Sequence, residues 1–209
     1  MPSRPSSSGH GRFDEKTRRF DAANNSLAAA PRPTPETLAD ATLQSPQMYT
    51  LHCTKKLLDR LNAEAATGTT VPTTALGNWY ATVLFWRPQL ALLVSERTLL
   101  PVLMPFAPAV TLASRFRGEL SKALAAHGLD TAFIDTEVAA MHETSIAKTA
   151  NRSVVGMLNE FSFLATVYRE DIGISEPLTL AAKLADTPCG PLKGNSPVRL
   201  LREMRKGNQ

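Results

Sequence analysis

Residues 79–105 read WYATVLFW, RPQ, LALLVSE, RTLLPVLMP: three apolar runs of strand length separated by short polar breaks. The first run is rich in aromatic and β-branched residues (Trp79, Tyr80, Thr82, Val83, Phe85, Trp86), which fit a pleated, half-buried surface. Pro88 suits the second position of a tight turn. The second run, Leu90–Val94, has no polar alternation, which suits a strand covered on both faces, although pattern alone does not separate it from a buried helix. The third run carries Pro101, which cannot donate to a ladder and belongs at an edge or a bulge. Links this short join strands antiparallel. The stretch therefore predicts a three-stranded meander forming the middle of a sheet, with its large side chains used as core.

Outward from this centre the pattern is mostly helical. Met48–His52 reads as a short strand, followed by a helix capped at Thr54 and a loop over 63–75. Beyond the meander, Ala109, Leu112, Ala113, Phe116, Leu120, Ala123 and Leu124 recur at three- and four-residue spacing, an amphipathic helix. Gly128 ends it with a left-handed cap, and Asp130 opens the next helix. Glu143–Lys148 returns as a strand. Asn151 caps a long helix with the apolar stripe Val154, Leu158, Phe161, Ala165 and Tyr168. Pro177 and Pro197 each open a further helix. A few strands followed by helices predict an α+β fold, a small antiparallel sheet covered by several amphipathic helices.

The 209 residues suffice for one domain with tails. The expected division is a disordered extension over 1–47, a single domain over 48–192, and a basic helix and tail over 193–209. The first segment is rich in Pro, Ser, Ala and charge and too poor in large apolar residues to offset its ordering entropy. Met48 is a candidate for the true start. The net charge of +4 is uneven: 48–192 is close to neutral, and the excess of Lys and Arg falls in 193–209, so the basic balance is no mark of a basic face on the domain. No run approaches the about 20 apolar residues of a spanning helix, and no apolar segment follows Arg4 to make a secretory signal. The expectation is a cytoplasmic protein without membrane contact. Cys53 and Cys189 are too few for a disulfide framework.

The runs MYTLHCTKKLLDRL, LGNWYATVLFW, LLVSERTLLPVLMPFAP, NRSVVGMLNEFSF and TPCGPL, between Met48 and Leu201, resemble a bacterial family, domain of unknown function 6933. Where the family has Asn in VNERT this chain has Ser95, and where it has GSMNDF this chain has residues 156–161, GMLNEF. The resemblance implies a bacterial fold unit whose members often begin at the equivalent of Met48. It implies no activity.

Motifs for chemistry are sparse. HExxH, GxxxxGK[ST], GxGxxG, GxSxG and CxxC do not occur, which disfavours a metal hydrolase, a P-loop NTPase and a dinucleotide enzyme. No cofactor and no metal set is expected from His10, His52, His127 and His142. His52 and Cys53 are neighbours on a strand, face opposite ways, and make no dyad. Cys53 precedes a helix start and Lys55 and Lys56, a setting that lowers a thiol pKa, so it is a candidate reactive thiol; its plainer use is core. Lys148, Asn151 and Arg152 surround a helix N-terminus, a candidate anion site; the plainer use is capping. Asn159 and Glu160 lie mid-helix, and Asn159 is expected to hold a backbone group of the sheet near Asn78 or Ser95. Glu96 and Arg97 read most simply as a solvated turn pair.

The leading functional expectation is a non-enzymatic interaction or regulatory domain with an unknown protein partner. One alternative is a nucleic-acid-associated protein using the stripe Arg199, Arg202, Arg205 and Lys206. The other is a small enzyme or sensor that binds an anionic ligand at the Asn151 helix start, near Lys148, Arg152 and Glu160, with Cys53, Asn78 or Glu96 gathered into the same cleft.

Overall fold

The computed structural model describes residues 48–67 and 71–206. The extension expected over 1–47 lies outside the described residues. The strands are β1 (Met48–Cys53), β2 (Trp79–Leu84), β3 (Leu90–Ser95), β4 (Pro101–Pro105) and β5 (Glu143–Lys148). The helices are α1 (Lys55–Leu61), α2 (Leu112–Ala126), α3 (Thr131–Ala139), α4 (Arg152–Asp171), α5 (Pro177–Ala185) and α6 (Pro197–Lys206).

The strands form one sheet in the order β4-β3-β2-β1-β5. β2, β3 and β4 are the antiparallel meander, and β4 lies at the edge, where Pro101 is harmless. The expectation of an antiparallel sheet is corrected, because β1 runs parallel to both β2 and β5. The meander is accordingly one flank of a mixed sheet and not its middle. Connection length explains the difference. Short links must reverse the chain, whereas residues 54–78 with α1, and residues 106–142 with α2 and α3, are long enough to carry it back to the starting end.

Burial follows from this order. β2 and β3 are buried at every position, and the run LALLV is apolar because helices lie on both sides. On one face Tyr49, Leu51, Trp79, Ala81, Leu93 and Met104 pack with Phe116, Leu120 and Leu124 of α2, Ile134 of α3, and Val198 and Leu201 of α6. On the other, Tyr80, Leu84, Leu92, Val94 and Leu103 pack with Leu158, Phe161 and Ala165 of α4 and Leu180 and Leu184 of α5. Among the described residues no helix is long and apolar enough to cross a membrane.

The caps follow the local chemistry. Asp130 accepts from Phe133 N–H at 2.9 Å, and Asn151 accepts from Ser153 N–H at 3.0 Å. Gly128, at φ +77°, turns the chain out of α2. Glu176 caps α5, accepting from the Leu178 and Thr179 N–H groups.

Phe116 joins α2 to two strands: its ring centroid is 4.8 Å from that of Trp79, edge-on, and 6.3 Å from that of Tyr49. Phe116→Ala should therefore cost about 3–5 kcal/mol of stability in urea unfolding. A loss under about 1 kcal/mol, the scale of a surface change, would show that this ring does not hold the face together.

Candidate functional site

The site begins in the segment that feeds β2. Glu137 of α3 is 2% exposed and accepts from the Ala75 and Leu76 N–H groups at 2.6 and 3.1 Å. Gly77 sits at φ +79°, and a Cβ there would lie 3.0 Å from the Arg97 side chain, so the position requires glycine on two counts. Arg97 donates to the Ala75 carbonyl at 3.2 Å. The Glu96 N–H donates to the Asn78 carbonyl at 2.8 Å. The β3–β4 hairpin is thereby fastened to the strand entrance.

Inside the hairpin Ser95 is fully buried. Its Oγ accepts from Thr98 N–H at 3.3 Å and Leu100 N–H at 3.1 Å and lies 2.5 Å from Thr98 Oγ1. These bonds offset the left-handed Leu99, at φ +56°, a conformation that costs a side chain about 1–2 kcal/mol.

The hairpin delivers Glu96 to a polar web. Asn78 Oδ1 accepts from Thr50 N–H of β1 at 2.9 Å, and its Nδ2 donates to Glu96 Oε2 at 3.2 Å. Tyr80 O–H donates to Glu96 Oε1 at 3.5 Å and accepts from Asn151 N–H at 3.1 Å. His52 stacks on Tyr80, with centroids 4.6 Å apart and planes at 22°. His52 Nδ1 lies 2.8 Å from the Lys148 carbonyl oxygen. A carbonyl only accepts, so Nδ1 carries a proton, and in the neutral tautomer this leaves Nε2 as an acceptor. Burial holds the Tyr80 phenol above its ordinary value; the Asn151 N–H opposes this and the Glu96 carboxylate adds to it. Tyr80 thus stays protonated as a donor.

These groups line an open cleft of about 500 Å³, with His52, Asn78, Tyr80, Glu96 and Asn151 as its polar wall and Val71, Pro72 and Ala150 beside them. The size falls within the roughly 300–1,000 Å³ of small-molecule sites. A second depression of about 400 Å³ is lined by Ala75, Asp130, Phe133, Thr136, Glu137 and Arg205, among others. Its ionisable groups are already engaged: Glu137 holds two amides, and Arg205 lies 3.3 Å from Asp130 and donates to Gly128 O. Among the described residues no three His, Cys, Asp or Glu side chains form a metal-sized group.

The structure brings Asn78, Glu96 and Asn151 together, and it spreads the other candidates. Lys148 lends only its backbone carbonyl, and its side chain and that of Arg152 are exposed. Asn159 and Glu160 are exposed on α4, because Leu158 and Phe161 take the inward positions; neither reaches Asn78 or Ser95. Cys53 lies on the sheet face opposite His52, 1% exposed, its Sγ directed to Leu51 O at 3.6 Å. Burial pushes its thiol up to about 12, away from the thiolate a nucleophile needs. On α6, Arg205 is tied to Asp130, whereas Arg199 and Arg202 are exposed. His52 and Tyr80 are the functional candidates that sequence reasoning missed. Their meeting depends on the pairing of His52 with Tyr80 in the parallel register of β1 and β2, which no periodicity announces.

Fold and site together define an α+β domain with a polar cleft beside the parallel strands of a mixed sheet. The chain belongs to the family described as Domain of unknown function (DUF6933), whose model matches residues 50–200, a span that includes every polar residue of the cleft. No curated protein and no solved structure matches the chain.

The Glu137 strap has a pH signature. Burial raises its carboxyl above the ordinary range, opposed by the Leu76 and Ala75 amides and by Arg97. The folded chain therefore holds the proton more tightly than the unfolded chain. The stability contributed is complete below the ordinary carboxylate value and is lost as pH rises through the raised one. Glu137→Gln removes this titration. The stability of the natural chain relative to the variant should shrink from acid to neutral pH in urea unfolding, and a difference that grows with pH would refute the assignment.

Proposed function

We infer that the domain is a non-enzymatic small-molecule binding module with a regulatory or sensing role, and that the cleft of His52, Tyr80, Glu96, Asn78 and Asn151 is its binding site. One observation carries the reading: the polar wall is held in place by the protein itself. Asn78 is fixed by a β1 amide, Tyr80 by the first residue before α4, and His52 by a β5 carbonyl. Groups ordered in advance lower the entropy cost of binding. The set supplies hydrogen-bonding groups, and neither cysteine joins it, since both are buried. Two free cysteines also fit a reducing compartment, so the reading extends to a cytoplasmic, bacterial protein whose ligand state is read by a partner protein.

A nucleic-acid reading would rest on Arg199 and Arg202, the exposed arginines of α6. It predicts binding that weakens steeply with salt and is lost in the Arg199→Glu, Arg202→Glu double variant.

Native mass spectrometry of the full chain, as purified and after incubation with a small-molecule extract of the host, tests the cleft. Capture of a small molecule by the natural chain, and its loss in Ala150→Trp, where an exposed loop residue is enlarged to fill the cleft, is the expected result. Capture that is absent, or unchanged by Ala150→Trp, would contradict the proposal.

A further inference from the structure

We propose that the cleft selects ligands bearing a primary ammonium group, an inference that rests on the binding reading above and names the ligand class. The wall's unused hydrogen-bonding capacity decides the class. Several donors are spent, although the exposed Asn151 side-chain amide nitrogen keeps its two hydrogens. Tyr80 O–H is given to Glu96, Asn151 N–H to Tyr80, and His52 Nδ1–H to the Lys148 carbonyl; one hydrogen of the Asn78 amide goes to Glu96. The amide oxygens are spent as well, Asn78 Oδ1 on Thr50 N–H and Asn151 Oδ1 on the first turn of α4.

The charged capacity that remains is that of an acceptor. Each Glu96 oxygen accepts one bond from the protein and keeps lone-pair room for another. Its charge is also uncompensated. Among the described residues no salt bridge reaches it, and no Lys or Arg lines the cleft. In its neutral form His52 adds Nε2 as an acceptor, since the bond at Nδ1 holds the proton on the other nitrogen. Tyr80 joins the two, stacked on His52 and bonded to Glu96. An ammonium brings three donors and the opposite charge, so it fits two carboxylate oxygens and an imidazole nitrogen. A ligand carboxylate or phosphate would instead meet Glu96 with no cationic side chain of the lining to balance it. The cleft is far larger than one ammonium, and Val71, Pro72 and Ala150 present an uncharged wall to the rest of the molecule.

The test is a ¹⁵N–¹H NMR titration of the full chain with three probes of one length: n-pentylammonium, 1-pentanol and pentanoate. The ammonium is expected to shift the amides of Glu96 and Asn151, and the alcohol and carboxylate to leave them in place. Glu96→Gln should weaken the ammonium response at least tenfold, with unmoved amides in α2 certifying the fold. His52→Leu, which removes Nε2 and leaves Glu96 in place, is the second variant and should weaken it at least threefold. Equal shifts with pentanol or pentanoate, no shift with the ammonium, or natural affinity in both variants would overturn the ammonium assignment. Such a result would not by itself remove the cleft as a binding site, which falls only with the capture experiment.

Discussion

The Asn78 side chain is the point on which the described structure turns. It sits at the entrance to β2, takes an amide of β1 on its oxygen, and gives its nitrogen to the carboxylate of the β3–β4 hairpin. A short amide so placed must be satisfied on both ends when buried, and a buried amide left unpaired costs about 1–3 kcal/mol. The same residue's carbonyl receives the Glu96 N–H. Backbone and side chain together therefore fix the hairpin relative to the parallel strands. Glu96, which sequence reading takes for a solvated turn residue, becomes half-buried and directed at Tyr80.

The parallel pairing of β1 with β2 and β5 creates the space in which this web works. The two parallel strands set His52 beside Tyr80 and beside the end of β5, and the chain leaves β5 to enter α4 at Asn151. Ligands of open α/β sheets commonly sit where parallel strands end and helices begin. Here α4 packs over Tyr80 and the meander, and the cleft opens beside its first turn. α3 contributes from the opposite face through Glu137, which ties down the strand entrance without touching the cleft. One helical layer thus acts on Ala75 and Leu76, and the start of α4 acts on Tyr80 two residues into β2.

Much of the fold was legible because its signals are local. Pro101 marks an edge strand, Asp130 and Asn151 mark helix starts, and Gly128 marks a helix end; each depends on its own backbone conformation. Strand direction across residues 54–78 and 106–142 is not a local property, and the mixed sheet was hidden for that reason. The site was half legible. Asn151 drew notice as a helix cap, Asn78 as a possible partner of Asn159 and Glu96 as a turn residue, whereas His52 was weighed only against its neighbour Cys53 and the other histidines. Its true companion, Tyr80, lies across a parallel register that hydrophobic pattern does not encode. Asn159 and Glu160 misled because a polar pair inside an apolar helix looks buried, although Leu158 and Phe161 turn that pair to solvent.

If the His52–Glu96 cleft is the binding site, a ligand occupies it and no other part of the domain. A crystal structure of the full chain, soaked with the small molecule it captures, decides this. Density is expected against the Glu96 carboxylate and His52 Nε2, with the Asn78 and Tyr80 bonds unbroken. Density confined to the depression beside Glu137 and Arg205, or to the exposed arginines of α6, would contradict that assignment.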